Sequence, residues 1–333
     1  MKIGLTYDLR ADYLAMGYSR EETAEFDREE TILAIEGAIQ KAGHFTDRIG
    51  NAWRLTERLV RGDRWDMVFN ISEGLWGIAR EAQVPAILDL YRIPYTFSDP
   101  MVMGLTLHKG MTKHVVRGHG FPTPDFMVVE SPSDAETVAF TPPYFVKPVA
   151  EGTGKGVSSQ SIISQRDRLA GVCEKLINAF HQPVLVEKYL SGREFTTGIV
   201  GTGRKAKVLG TMEVILLENA EKGVYSYDNK DKYEDRVKYH SVKAVDDPSV
   251  RAAEAVALGT WQALGCRDGG RTDLRCDMDG NPYFLEVNPL PGLHPVHSDL
   301  PILCGHSGIS YNDLIGEILA SAMARVQTEQ KRP

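Results

Sequence analysis

Two runs in the last third of the chain hold residue types that could do chemistry together. They are Gly269-Gly270-Arg271-Thr272-Asp273-Leu274-Arg275 and Tyr283-Phe284-Leu285-Glu286-Val287-Asn288-Pro289-Leu290-Pro291-Gly292. Between them lies Asp277-Met278-Asp279-Gly280-Asn281-Pro282, and an Asp-Gly pair between two apolar-patterned runs is the strongest short hairpin signal. A hairpin centred on Asp279-Gly280 places Asp273 opposite Glu286 and Arg271 opposite Asn288. Period-two alternation then puts Glu286 and Asn288 on one face. Two carboxylates facing each other across a sheet repel, and a cation between them removes the conflict. Asp273, Glu286 and Asn288 offer hard oxygens, which suit magnesium better than zinc. A slip of one residue would scatter the set; the stiff Pro289-Leu290-Pro291 turn directs the strand before it.

A second candidate is the glycine-rich loop Glu151-Gly152-Thr153-Gly154-Lys155-Gly156. Glycines at 152, 154 and 156 let main-chain N–H groups approach an anion closely. The loop is neither a Walker A sequence nor a dinucleotide fingerprint after the first strand. Lys147 ends the apolar strand just before it, two residues after Phe145, which suits a phosphate contact. Glu187-Lys188-Tyr189-Leu190 caps the apolar run Val184–Val186. A carboxylate there could accept from ribose hydroxyls and the Tyr-Leu pair could cover a base; Glu194 is the alternative ribose ligand. His294, His297 and His306 lack zinc-site spacing, and no Gly-x-Ser-x-Gly elbow supports a hydrolase triad.

These residues need a large scaffold. The chain has 333 residues, 42% hydrophobic and 25% charged, enough for two or three soluble globular domains. A net charge of −7 argues against a dedicated nucleic-acid binder. Four widely spaced cysteines without a CxxC pair predict a reducing, cytoplasmic setting. No signal peptide and no membrane span are expected.

Lys2–Tyr7 reads as a strand, Asp27 with Glu30 as a capping box opening a helix that Gly43 stops. Strands at 45–49, 66–70 and 93–97 alternate with helices at 53–60 and 81–91, predicting a doubly wound parallel sheet. Residues 101–120 read as helix, in one piece or two. Strands at 126–129, 144–147 and 184–189 with a helix at 166–180 read as a small α+β unit. Strands at 194–201 and 206–216 follow, then a polar loop at 218–236, too long for a plain connector. Asp247-Pro248 opens a helix that Gly265 closes, and a last helix runs from Tyr311 to about Arg325.

Taken in order, Lys147, the 151–156 loop, Glu187-Lys188-Tyr189-Leu190, Glu194, Arg271-x-Asp273 and Glu286-x-Asn288-x-x-Pro291-Gly292 resemble the ATP-grasp superfamily, and within it the D-alanine–D-alanine ligases. The resemblance implies an α/β chain of three domains: a doubly wound parallel-sheet domain at 1–107, a small α+β subdomain at 108–188, and a C-terminal α+β domain with an antiparallel sheet at 189–333. It implies ATP, with Lys109 and Lys147 on its phosphates, the glycine loop over them, and Glu187, Lys188, Tyr189, Leu190, Glu194 and Leu285 around the nucleoside. It implies two magnesium ions, replaceable by manganese, on Asp273, Glu286 and Asn288. Arg271 would stabilise an oxyanion, Thr153 would stand in for a coupled serine, and Lys232-Tyr233 would belong to a loop closing over the substrates. The implied reaction joins a carboxylate to an amine through an acyl phosphate; the substrates are small molecules, and relatives often form homodimers. The alternatives are a cyclising ligase resembling the D-cycloserine synthetases and a non-catalytic ATP-binding module.

The departures fall on the amino-acid sites. The family's Gly-Gly-x-Ser-x-Glu after the first strand is absent from Tyr7-Asp8-Leu9-Arg10, and its His-Gly-x-x-Gly-Glu-Asp-Gly is replaced by Asn70-Ile71-Ser72-Glu73-Gly74-Leu75-Trp76-Gly77. His297 falls near the family's post-hairpin serine. The expectation is therefore a ligase whose substrate pair differs from D-alanine.

Overall fold

A computed structural model describes residues 1–226, 228–229 and 233–329. Among these, the strands form three sheets. β1 (Lys2–Tyr7), β2 (Phe45–Gly50) and β3 (Met67–Ile71) make a parallel sheet of order β2-β1-β3. One face packs on the helices Glu29–Lys41 and Tyr311–Glu329 through Ile3, Leu5, Phe69, Ile35 and Ile318. The other packs on the helices Ala52–Val60 and Gln83–Leu90 through Val68, Leu55 and Leu88. Both faces are apolar because both are covered.

Two expectations are corrected here. Residues 93–97 do not form a full strand; they make one parallel bridge, Val68 to Tyr95. Pro94 has no N–H to donate, and Phe97 adopts φ 70°, with its N–H donating to Asp268 at 2.9 Å. Nor does Asp27 cap a helix. Its backbone pairs with Asp8 and Arg10 in an extended bridge, and the helix opens at Glu29 with Arg28 as N-cap. The hydrogen bonds of that bridge hold Asp27 outside the first turn.

The second sheet, β4-β7-β5-β6, joins β4 (Phe126–Val129), β5 (Tyr144–Pro148), β6 (Ile162–Ile163) and β7 (Val184–Lys188), all antiparallel. Its core side rests on the helix Leu169–Phe180. The third sheet, β10-β9-β8-β11-β12, contains β8 (Glu194–Val200), β9 (Lys207–Leu216), β10 (Val237–Val242), β11 (Gly269–Cys276) and β12 (Pro282–Asn288). The helix Pro248–Leu264 covers one face of it. Asp247 caps that helix, accepting from Ser249 and Val250, and Gly265 ends it at φ 76°. The strand β10 and the helix Asp299–His306 have no counterpart in the sequence reading. The final helix runs on to Glu329.

Candidate active site

The hairpin of β11 and β12 has the expected register at its functional end: Arg271 pairs with Asn288 and Asp273 with Glu286. Below that point the register shifts, and Leu274 pairs with Phe284. Leu285 is therefore an extra residue on β12. A bulge disturbs strict alternation, and Leu285 joins Glu286 in lining the same cleft while Phe284 and Val287 are buried in the core.

That cleft lies between the second and third sheets. Lys109, Lys147, Glu151, Gly154, Glu187, Lys188, Tyr189, Leu190, Glu194, Asp273, Leu285 and Glu286 all line it; thus most residues picked from the sequence for nucleotide and metal converge. Lys147 points into the cleft while its neighbour Val146 is fully buried in the core, as alternation requires. Lys109 and Lys147 lie 3.7 and 3.9 Å from Glu286. Phe145 and Tyr189 stack at 6.4 Å on one wall. Lys188 donates to the carbonyls of Thr141 and Pro142 at 2.9 Å. Glu194 pairs with Arg275 at 3.2 Å, and Arg275 in turn donates to the Tyr189 hydroxyl.

Glu187 is more deeply set than a ribose ligand needs. It is 2% exposed and pairs with Lys113 at 2.8 Å and Lys147 at 3.1 Å. Burial raises its pKa, but the two ammonium charges outweigh burial and hold it below the usual carboxylate value. Lys113 is wholly buried, and burial pushes it down to about 8 against the pull of Glu187. Sequence reading missed Lys113; its one signal is its place one turn after Lys109 on the helix Lys109–Gly118.

The glycine loop makes two consecutive turns, Lys155 N–H to Gly152 and Val157 N–H to Gly154. Gly154 and Gly156 have φ of 78° and 72°, which a side chain would strain. A Cβ on Gly152 would stand 2.1 Å from Glu25 Oε1. Glu25 was also missed. Its carboxylate is nearly inaccessible, and its Oε2 takes Arg80 at 2.8 Å and Lys155 at 3.1 Å.

Arg271 stands at a seam. It lines two further cavities, one with Thr153, Tyr225, His297 and Asp299, the other with Glu25, Glu73, Glu81, Lys109 and Thr153. It pairs closely with Asp273 and lies 3.6 Å from Asp299. Burial lowers its pKa, but Asp273 and Asp299 more than reverse this, so the guanidinium keeps its charge. Asp273 also accepts from Thr196 at 2.9 Å and from Asn288 at 3.3 Å. Asp273, Glu286 and Asn288 share one end of the hairpin and present two carboxylates and an amide oxygen, a donor set that fits a hard divalent cation. Among the described residues no three His, Cys, Asp or Glu side chains form a metal cluster.

Tyr233 begins a short helix, Tyr233–Arg236; its hydroxyl donates to the Val296 carbonyl at 3.2 Å, and its ring packs on His297. Lys232 lies outside the described residues. Tyr225, from the same polar loop, lines the cleft and the Arg271–His297 cavity, and its hydroxyl donates to Asp299 at 3.1 Å. No sequence signal marked Tyr225.

Comparison with known proteins decides the family. The family model described as D-ala D-ala ligase C-terminus matches residues 115–320. A D-alanine–D-alanine ligase of Bordetella petrii is 31% identical over 266 residues, covering 79% of this chain and 78% of that protein. The chain belongs to the D-alanine–D-alanine ligase family. An uncharacterised protein of Sinorhizobium fredii is also 31% identical, over 88% of this chain and 87% of its own length. The solved D-alanine–D-alanine ligase of Bacillus anthracis complexed with ATP superposes with a TM-score of 0.74 at 23% identity, covering 99% of each chain. This likeness establishes the ATP-grasp fold of the family: a parallel sheet followed by two antiparallel sheets.

Among the described residues, no helix is long and apolar enough to cross a membrane. All four cysteines are free and buried.

Proposed function

We propose that this member of the ligase family joins a small carboxylic acid to an amine at the expense of ATP, through an acyl phosphate. The observation that carries the reading is that Lys109 and Glu286 line both the nucleotide cleft and the small cavity beside Arg271. A γ-phosphate at the end of the cleft and an acid in the cavity would meet there.

In the first step a carboxylate oxygen of the acid attacks the γ-phosphorus, and the bond to the β-phosphate oxygen breaks, releasing ADP. Such a transfer needs positioning and charge neutralisation more than covalent help. Lys109 and Lys147 supply positive charge, and Glu187 positions Lys147 from behind. The Phe145–Tyr189 wall and Leu285 take the apolar faces of the nucleoside, with Glu194 at its rim. In the second step the amine attacks the acyl carbon, phosphate leaves, and the amine loses its proton. Arg271 carries a permanent charge beside that carbon and holds the oxyanion. Thr153, which lines both cavities, closes the site against water together with Tyr233. Asp273, Glu286 and Asn288 would hold magnesium, which when bound neutralises phosphate charge. In this reading residues 1–107 grip the acid, and 108–188 and 189–333 clamp ATP.

The test is ADP release in the presence of magnesium and a panel of amino acids, with hydroxylamine as a surrogate amine. The expected result is acid-dependent ADP and a matching hydroxamate, both lost in Glu286→Gln. Tight nucleotide binding with no ADP formed from any acid would overturn the reading.

A further inference from the structure

The cavity beside Arg271 is lined by charges of both signs: Lys109 and Arg271, and Glu25, Glu73 and Glu81. Buried charges are ordinarily paired, and Glu25 obeys: Arg80 and Lys155 hold it. Glu73 and Glu81 do not. Among the described residues neither carboxylate makes a hydrogen bond or an ion pair, although Glu81 is only 9% exposed and faces the cavity. The nearby cations are committed elsewhere, Arg80 to Glu25 and the Ala150 carbonyl, Lys109 to Glu286 and the Glu151 carbonyl. Arg80 and Lys109 act on Glu81 only through space, so both carboxylates lack a direct cationic partner among the described residues.

Building on the ligase reading, we infer that the acid substrate is a dibasic amino acid: its carboxylate lies toward Lys109 and Arg271, and its two cationic nitrogens lie against Glu73 and Glu81. A neutral side chain would leave one of these carboxylates unmatched. Burial first, and then the mutual repulsion of Glu73, Glu81 and Glu25, raises the pKa of Glu73 well above the ordinary carboxylate value. Cationic nitrogens placed beside these carboxylates would relieve that repulsion.

The experiment compares ornithine, lysine and 2,3-diaminopropionate with alanine and norvaline in the hydroxylamine assay, in both chiralities. The dibasic acids are expected to show KM values lower than that of norvaline by about tenfold or more. Glu73→Gln and Glu81→Gln should each raise KM for the preferred dibasic acid by about tenfold or more, with KM for ATP unchanged. Thermal melts of both variants separate loss of fold from loss of recognition, and calorimetric titration of the dibasic acid into the ATP-free protein gives a readout independent of turnover. If alanine or norvaline forms hydroxamate as well as the dibasic acids do, or if both glutamine variants keep the native KM, this inference falls while the ligase reading stands. If no acid yields ADP, both fall together.

Discussion

The Glu187 carboxylate lies 2.8 Å from the Lys113 ammonium, and the two side chains are 3% and 0% exposed. They come from the edge of the cleft on β7 and from the helix Lys109–Gly118. Lys113 also donates to Thr123 and to the Phe284 carbonyl on β12. One buried ammonium thereby ties the two sheets that form the cleft, and the carboxylate it holds orients Lys147.

Breaking this pair from one side leaves charges buried without partners, which costs on the order of 3–5 kcal/mol. Glu187→Gln should therefore lower stability by about that amount in urea unfolding at pH 7. A change below about 1 kcal/mol would show that the lysines find other partners.

Leu285 and Val287 are both apolar residues of β12, yet the bulge sends them to different places. Leu285→Ala should weaken ATP binding by about 1–2 kcal/mol, roughly five- to thirtyfold in Kd, with little change in melting temperature. Val287→Ala should do the reverse, costing about 1–2 kcal/mol of stability with Kd for ATP unchanged. Isothermal titration and thermal melts on the same preparations decide between these outcomes.

In the proposed reaction Arg271 holds the oxyanion. Arg271→Lys keeps the charge but loses the planar fork. Its kcat should fall by about two to three orders of magnitude while nucleotide affinity holds. Equal losses in ATP affinity and kcat would move Arg271 to the phosphate side.

Glu81 is pushed up to about 7 from 4.5, chiefly by burial, with Arg80 opposing and Glu25 adding to the rise. A carboxyl whose folded pKa is raised binds its proton more tightly when folded, so its contribution to stability is present below about 4.5 and is lost as pH rises through about 7. Glu81→Gln should remove this part of the pH dependence and stabilise the substrate-free protein at pH 8, by an amount on the order of 1–3 kcal/mol. Unfolding midpoints from pH 4 to pH 8 measure it. A variant that is no more stable than the parent at pH 8 would place the cost elsewhere.

Much of this site is legible in the chain because it is local. Asp-Gly between two patterned runs marks the hairpin because a tight turn is local; near the turn Cys276 pairs with Pro282, one residue off a register centred on Asp279-Gly280, and the bulge at Leu285 brings Asp273 opposite Glu286. The caps Asp247 and Gly265 bounded a helix for the same reason: capping chemistry acts within a few residues. The three-sheet ATP-grasp arrangement was legible through the order of its motifs. Other features depend on distant partners. Phe97 leaves the extended conformation with its N–H on Asp268, 171 positions away. Glu25 earns no motif, because its partners Arg80 and Lys155 lie 55 and 130 positions along.

By itself, then, the sequence determined that β11 and β12 form a hairpin, the order of most elements and the identity of most residues that crowd the cleft. Local rules of turn, cap and alternation act over a few residues and read the same in any context. Only the packing of the three sheets decided that Leu285 bulges into the cleft, that Lys113 is buried against Glu187, and that Glu73 and Glu81 share a cavity while the neighbouring cations pair elsewhere. Those outcomes turn on burial and on charges brought together across long stretches of chain, and no spacing along the sequence encodes them.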